Sequence, residues 1–77
     1  MNEITYKDFT IKATPFKLHD GKWSTWITVH PDNGPKSRNF NTGDTFPTEE
    51  EAIEFCLQYG RDIIDGKVEG CSVEDLT

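Results

Sequence analysis

Alternating apolar and polar residues mark the first part of the chain as β structure. Phe9, Ile11 and Ala13 are separated by polar residues, which is the period of a half-buried strand. The apolar side changes parity around Lys7-Asp8 and again at Pro15. Because proline cannot donate a hydrogen bond to a neighbouring strand, Pro15 indicates a bulge or an edge position. We therefore predict one long first strand that bends.

Two further strands are predicted after a tight turn. The Asp20-Gly21 dipeptide favours a hairpin, and residues 23–30 then alternate as a second strand. One face of that strand carries Trp23, Thr25, Ile27 and Val29, and the other carries Ser24, Trp26, Thr28 and His30. Residues 31–35 contain two prolines and an Asn-Gly pair, which indicates a loop. Residues 36–41 predict a third strand with Phe40 as its large apolar residue.

A helix is predicted over about Glu49 to Asp65. Thr48 can cap its first turn, and Glu51, three residues later, completes a capping box. Its apolar stripe is formed by Ala52, Ile53, Cys56, Leu57, Gly60, Ile63 and Ile64. Gly66 is a natural C-terminal cap. Gly60 lies within the apolar stripe, which predicts a close approach of the helix backbone to the sheet.

These elements predict an α+β fold. A three-stranded antiparallel sheet is covered on one face by a single C-terminal helix, in the order βββα. Residues 1–66 form the single domain, and residues 67–77 form a short tail. In that tail, either one helical turn begins at Ser72 or the chain frays.

Length and charge limit the classes of function. A chain of 77 residues forms one domain with a small core. Its net charge is -6, but residues 1–43 carry six basic and four acidic side chains, whereas residues 44–77 carry two and ten. A nucleic-acid ligand requires several phosphates to be neutralised. Nucleic acid is therefore not expected as the main partner.

The chain also resembles a group of known proteins. The residues concerned are Gly21-Lys22-Trp23 in the hairpin, Phe46 to Ile53 at the helix start and Gly60 to Gly66 at its end. Over about Tyr6 to Gly66 the layout resembles small, largely uncharacterised bacterial and prophage-encoded βββα proteins. It is also similar to the strand and helix half of HicB-type antitoxins, without their DNA-binding domain. The first resemblance implies a prophage or mobile-element setting and assigns no functional residues.

Reactive constellations are not predicted. His19, His30 and Cys56 do not have the spacing of metal ligands or of a nucleophile with its base. No glycine-rich phosphate loop is present. We therefore expect no catalytic activity, metal, cofactor or small-molecule substrate. Cys56 and Cys71 are either one buried and one exposed free thiol or a helix-to-tail disulfide.

The chain is expected to be cytoplasmic and to lack a membrane span. Its first residues do not form a basic region followed by an apolar run, and no apolar stretch is long enough to cross a bilayer.

The sheet face turned away from the helix is the main candidate surface. Its predicted binding residues are Lys12, Trp26, Thr28, His30 and Arg38. An exposed tryptophan among polar residues is typical of an interface anchor. The alternative is that Phe16 and Leu18 cover Trp26 as a second, minor core.

Three functional hypotheses follow. The first is a non-catalytic protein-binding module of prophage or mobile-element origin, whose partner is another protein or a second copy of the chain. The second is an acidic, anti-CRISPR-like inhibitor of a host defence or nucleic-acid-handling complex. Its candidate surface consists of Glu49, Glu50, Glu54, Asp62 and Asp65. The third is a nucleic-acid-binding sheet or an antitoxin-like regulator.

Overall fold

A computed structural model describes residues 2–34 and 36–71 of the chain. Within them, antiparallel strands pack against one C-terminal helix, which confirms the α+β class. The elements are β1 (Glu3–Tyr6), β2 (Phe9–Ala13), β3 (Trp23–Ser24), β4 (Ile27–Pro31), β5 (Arg38–Phe40), β6 (Thr45–Phe46) and α1 (Glu49–Ile64). The helical turn predicted from Ser72 lies outside the described residues.

The main sheet has four strands, in the order β1-β2-β4-β5, so the prediction of three was wrong. The predicted bend at Lys7-Asp8 is a hairpin turn, with positive φ values of 47° and 70°. It places Ile4 opposite Ile11. A two-residue turn brings residues of opposite sequence parity to the same face, so the change of parity marked a second strand. Lys-Asp lacks the Asn or Gly that usually identifies such a turn.

The β2–β4 hairpin extends beyond its assigned strands. Ala13 pairs with Ile27, and Lys17 forms a bridge with Trp23 four residues further along both arms. Because the two arms advance equally, no residue is inserted at Pro15, and the predicted bulge is absent. The hairpin closes at Gly21, where φ is +88°. This confirms the predicted turn.

A small second sheet interrupts the predicted second strand. β3 stays bridged to the other arm of the hairpin and pairs on its other edge with β6, so that Trp23 lies opposite Phe46. Thr25, between β3 and β4, is fully buried, and its hydroxyl group lies 2.8 Å from that of Thr42. The chain after β5 therefore returns to cover the end of the hairpin that contains β3. Phe46 also contacts Phe55 of α1, with 5.0 Å between ring centroids.

The helix begins and ends as its local sequence predicts. The backbone N–H of Glu51 donates to Thr48 Oγ1 at 3.2 Å, and Gly66 follows the last turn with φ +77°. The buried core beneath the helix consists of Phe9, Ile11, Ala13, Ile27, Val29, Ala52, Cys56 and Ile63. Gly60 lies directly against Ile11, which confirms the predicted close approach.

Candidate functional site

The face of the main sheet turned away from α1 is the candidate site. Directly paired residues of an antiparallel sheet point to the same side, and Ile11 and Val29 are buried on the helix side. The residues between them therefore form the opposite surface, here called the outer face. It consists of Glu3, Thr5, Thr10, Lys12, Trp26, Thr28, His30 and Asn39.

Four of the five predicted binding residues, Lys12, Trp26, Thr28 and His30, lie on the outer face. Arg38 does not, because it pairs with Val29 and therefore lies on the helix side of β5. Its predicted place is taken by Asn39, whose Oδ1 accepts a hydrogen bond of 2.8 Å from the hydroxyl group of Thr28. A register shift of one residue reverses the faces of a strand. The weak pattern of β5 left its register undetermined.

Trp26 is exposed and its backbone is fixed. The side chain is 36% exposed, and its carbonyl oxygen accepts a hydrogen bond of 2.9 Å from the backbone N–H of Thr14. Phe16, which was the alternative cover for Trp26, is itself 47% exposed. Phe16 and Trp26 are therefore exposed aromatic residues on the same hairpin. The sequence did not predict Phe16 as a surface residue, because the apolar face of the strand was expected to change at Pro15.

A shallow polar depression of about 340 Å³ lies beside Trp26 on the outer face. Its lining side chains are Glu3, Thr10, Lys12, Thr28, His30 and Ser37. Lys12 is paired directly with Glu3 of β1, and the hydroxyl group of Thr10 donates to Asp32 Oδ1 at 3.0 Å. Glu3 was not predicted because the sequence did not separate β1 from β2, and Ser37 was not predicted because the weak pattern before β5 left the register there undetermined. The depression offers hydrogen-bonding groups rather than an enclosed reaction chamber.

The two cysteines are free thiols in different environments. Cys56 is fully buried. Burial raises the pKa of its thiol, and a hydrogen bond with the backbone of Trp26 opposes that rise. A thiol in an apolar environment is a poor nucleophile. Cys71 is half-buried and contributes, after burial, to the raised pKa of the Tyr59 hydroxyl group through a hydrogen bond.

Metal ligands do not converge in residues 2–34 and 36–71. No group of three or more His, Cys, Asp or Glu side chains in these ranges could hold a metal ion.

The predicted acidic surface divides into two groups. Glu49, Glu50 and Glu54 are exposed on the first turns of α1, where carboxylates interact favourably with the helix dipole. Asp62, in contrast, accepts a hydrogen bond of 3.1 Å from Gln58. Asp65 accepts a hydrogen bond of 2.8 Å from the hydroxyl group of Tyr6 and one of 2.6 Å from Lys7 Nζ. Asp65 therefore connects the β1–β2 turn to the helix end.

We predict that Asp65 stabilises the fold only as an ionised carboxylate, at pH values above its pKa in the folded chain. The hydrogen bond from Lys7, followed by that from Tyr6, lowers the pKa of Asp65 below its usual value. A carboxylate whose pKa is lower in the folded chain stabilises the fold above its unfolded pKa. This contribution is lost as the pH falls through the folded pKa. Asp65→Asn should therefore reduce the acid-side loss of stability, measured by urea unfolding at a series of pH values.

The matched variant for this prediction is Tyr6→Phe. It removes one donor to Asp65 and leaves Lys7 in place, so the pKa of Asp65, followed by carboxyl NMR, should rise but stay below its usual value. An unchanged pKa of Asp65 in Tyr6→Phe would contradict the role of these hydrogen bonds. An unchanged loss of stability at acid pH in Asp65→Asn would contradict it as well.

Comparison with known proteins gives a family match. Residues 1–75 match a family model whose description is Domain of unknown function (DUF6566). The resemblance to a family of uncharacterised small proteins is thus confirmed, whereas the prophage setting stays a prediction. No curated protein and no solved structure matches the chain. In the part of the chain that the structure describes, no helix has the length and apolar character needed to cross a bilayer.

Proposed function

The chain belongs to the DUF6566 family, and for this member we propose a non-catalytic protein-binding function centred on Trp26. The observation that carries the proposal is an exposed tryptophan on a sheet face that no element among the described residues covers. α1 packs against the opposite face of the same sheet. The outer face is therefore available to a partner while the core stays intact.

The composition of the outer face favours a protein as the ligand. Interfaces between proteins combine a central aromatic residue with a polar rim. Polar residues surround Trp26: Thr28 and His30 follow it on the same arm of the hairpin, and Thr14 and Lys12 lie on the other arm. The hydrogen bonds that fix Thr28 and the Trp26 backbone limit the conformational entropy lost on binding.

The acidic helix does not support a second proposed function. The exposed glutamates are explained by the capped helix start, and Asp62 and Asp65 already accept hydrogen bonds within the chain. The nucleic-acid hypothesis is weakened by the net charge of -6, since a polyanion would be repelled by most of the surface.

The test compares partner capture by three immobilised proteins: wild type, Trp26→Ala and Glu54→Ala. Glu54 is exposed on the helix, so its variant controls for surface change away from the outer face. Proteins from cells that naturally produce the chain should be retained by wild type and Glu54→Ala and lost from Trp26→Ala. Loss of a buried aromatic anchor costs about 2 kcal/mol or more, which is about thirtyfold in affinity.

Circular dichroism and urea unfolding establish that Trp26→Ala is folded before capture is compared. If it is not, His30→Ala takes its place, because His30 is exposed on the same face; a smaller loss of the same partners is then expected. Retention of the same proteins by wild type and the outer-face variant, or retention of none by wild type, would overturn the proposal.

A further inference from the structure

The turn that follows β4 contains the dipeptide Asn33-Gly34. The base of this turn is anchored at Asp32, whose backbone N–H donates to the carbonyl of Asp8 at 2.9 Å. Its carboxylate also accepts a hydrogen bond of 3.0 Å from the hydroxyl group of Thr10. Asn33, in contrast, is exposed, and its side chain forms no hydrogen bond in the described ranges 2–34 and 36–71. The side-chain amide of Asn33 is therefore free to reorient beside a fixed neighbour.

The hydrogen bond that closes the turn is long. The backbone N–H of Gly34 donates to the carbonyl of Pro31 at 3.4 Å, whereas such bonds are most often about 2.9–3.0 Å long. A bond of this kind contributes at most about 1 kcal/mol to stability. Its release does not require the core to open, because Asn33 beside it is exposed. The backbone nitrogen of Gly34 therefore becomes available through local motion alone.

We propose that Asn33 is a site of spontaneous deamidation in the folded chain. The deprotonated backbone nitrogen of Gly34 attacks Cγ of Asn33, and the new C–N bond closes a five-membered succinimide ring. The bond between Cγ and Nδ2 breaks, and Nδ2 leaves as ammonia with the proton that the backbone nitrogen gave up. Water then adds across one of the two C–N bonds of the ring. The products are aspartate and isoaspartate, and no atom is oxidised or reduced.

The residue after each asparagine favours Asn33 over the other asparagines of the chain. Glycine has no β-carbon, so the attacking nitrogen is unobstructed and the backbone reaches the conformation needed for ring closure at low cost. Asn2, Asn39 and Asn41 are each followed by a larger residue. Two of these side chains are also held in place: Asn39 Oδ1 accepts a hydrogen bond of 2.8 Å from Thr28, and Asn41 Oδ1 accepts one of 2.9 Å from the backbone of Gly43.

Deamidation would add one negative charge next to the outer face. Asp32 is bonded to Thr10, which lines the polar depression, and the new carboxylate would follow Asp32 directly in the chain. Pairing between β4 and β5 begins at Val29 and Arg38, so residues 30–37 form a loop that can accommodate the extra backbone methylene of isoaspartate. The fold should therefore persist after the modification. This inference is independent of the proposed protein-binding function.

The first experiment incubates the purified full chain in buffers of increasing pH and follows each asparagine by peptide mass spectrometry. Position 33 should gain the mass of an amide-to-acid conversion, as a mixture of aspartate and isoaspartate. The rate should rise with pH, because the deprotonated nitrogen is the nucleophile. Asn2, Asn39 and Asn41 serve as internal controls and should react at least about tenfold more slowly. No conversion at Asn33, or equal rates at all the asparagines, would overturn the inference.

A pair of variants tests the attacking nitrogen. Gly34→Ala should slow conversion of Asn33 by about tenfold or more, because a β-carbon crowds the attack and restricts the backbone. Ser37→Ala, at an exposed position of the same loop, should react at the rate of wild type. Circular dichroism establishes that both variants are folded. An unchanged rate in Gly34→Ala would overturn the assignment of Gly34 as the nucleophile.

The rate in urea tests whether the folded chain reacts. Release of one weak hydrogen bond costs about 1 kcal/mol, so Asn33 in the native chain should react within about tenfold of its rate in the urea-unfolded chain. Reaction only through global unfolding would be slower by about three orders of magnitude or more. A slowing of more than about tenfold would show that the folded turn protects Asn33, and this result would overturn the inference.

Discussion

Replacing Gly60 with alanine should lower the free energy of unfolding by up to about 2 kcal/mol, although alanine is the better helix former. A methyl group at this position would lie 2.5 Å from Cγ2 of Ile11 and 3.1 Å from its Cδ1. Ile11 is fully buried, so it has no open space into which it can move. Overpacking of this kind costs about 1–3 kcal/mol, against a gain of about 1 kcal/mol in helix propensity. Urea unfolding measures the difference.

Repeating the Gly60→Ala substitution in an Ile11→Ala variant tests the cause of that loss. Ile11→Ala alone should cost about 2–5 kcal/mol, because it leaves a cavity in the core. It also removes all three Ile11 atoms that face Gly60. In this background Gly60→Ala should therefore stabilise the chain by about 1 kcal/mol. The same sign in both backgrounds would contradict steric contact with Ile11 as the cause, and Glu54→Ala on the exposed face serves as the control for helix propensity.

The features of the helix were predictable because their causes are local. Thr48 caps the residue three positions later, and Gly66 ends the last turn with positive φ. Gly60 was predicted as a contact because a glycine within an apolar stripe has a cost that only close packing explains. These signals depend on residues within a few positions of one another. The helix bounds therefore agree with the prediction to within one residue.

The strand count was not predictable in the same way. The turn at Lys7-Asp8 begins with a lysine at positive φ, which is uncommon for that residue, and it contains no glycine, so its dipeptide does not resemble a hairpin. It is supported from a distance: Lys7 pairs with Asp65, and the Asp8 carbonyl accepts a hydrogen bond from the backbone of Asp32. Pairing of Trp23 with Phe46 likewise joins distant segments. Alternation detects a strand but does not identify its neighbour.

The candidate site was likewise predictable where the cause is local and unpredictable where it depends on pairing between strands. Placement of Trp26 and Thr28 on one face followed from alternation within a single strand. Arg38 was misplaced because its face depends on the register between β4 and β5. Phe16 was missed because proline was expected to shift the pairing, whereas the two arms of the hairpin advance equally past Pro15. The exposure of Phe16 and Trp26 on the same hairpin therefore became visible only with the fold.

The two cysteines should differ in their rates of reaction with a thiol reagent by about three orders of magnitude or more. The thiolate is the reactive form, and Cys56 is fully buried with a raised pKa, whereas Cys71 is half-buried. Reaction at Cys56 therefore requires opening of the core, and a small domain opens with a free energy of about 5 kcal/mol or more. Mass spectrometry of each labelled peptide gives the two rates.

The controls for this labelling experiment use the chain itself. In urea both thiols should react at similar rates, and in Cys71→Ser only the slow phase should remain. Equal rates in the folded chain would contradict the buried position of Cys56. If both thiols reacted only after addition of a reductant, the two cysteines would form a disulfide. That result would contradict the free thiols of the structure.

The slow phase also reports on the outer face. Cys56 is fully buried in the core beneath the main sheet, so opening that exposes this thiol also disrupts the sheet that carries the candidate binding site. A ligand that binds the folded chain alone lowers the population of the open form, and at a concentration one hundred times its Kd the slowing should be about one hundredfold. A partner bound elsewhere on the fold would slow Cys56 equally, so the variant Trp26→Ala decides. The slowing should disappear in that variant and persist in Glu54→Ala.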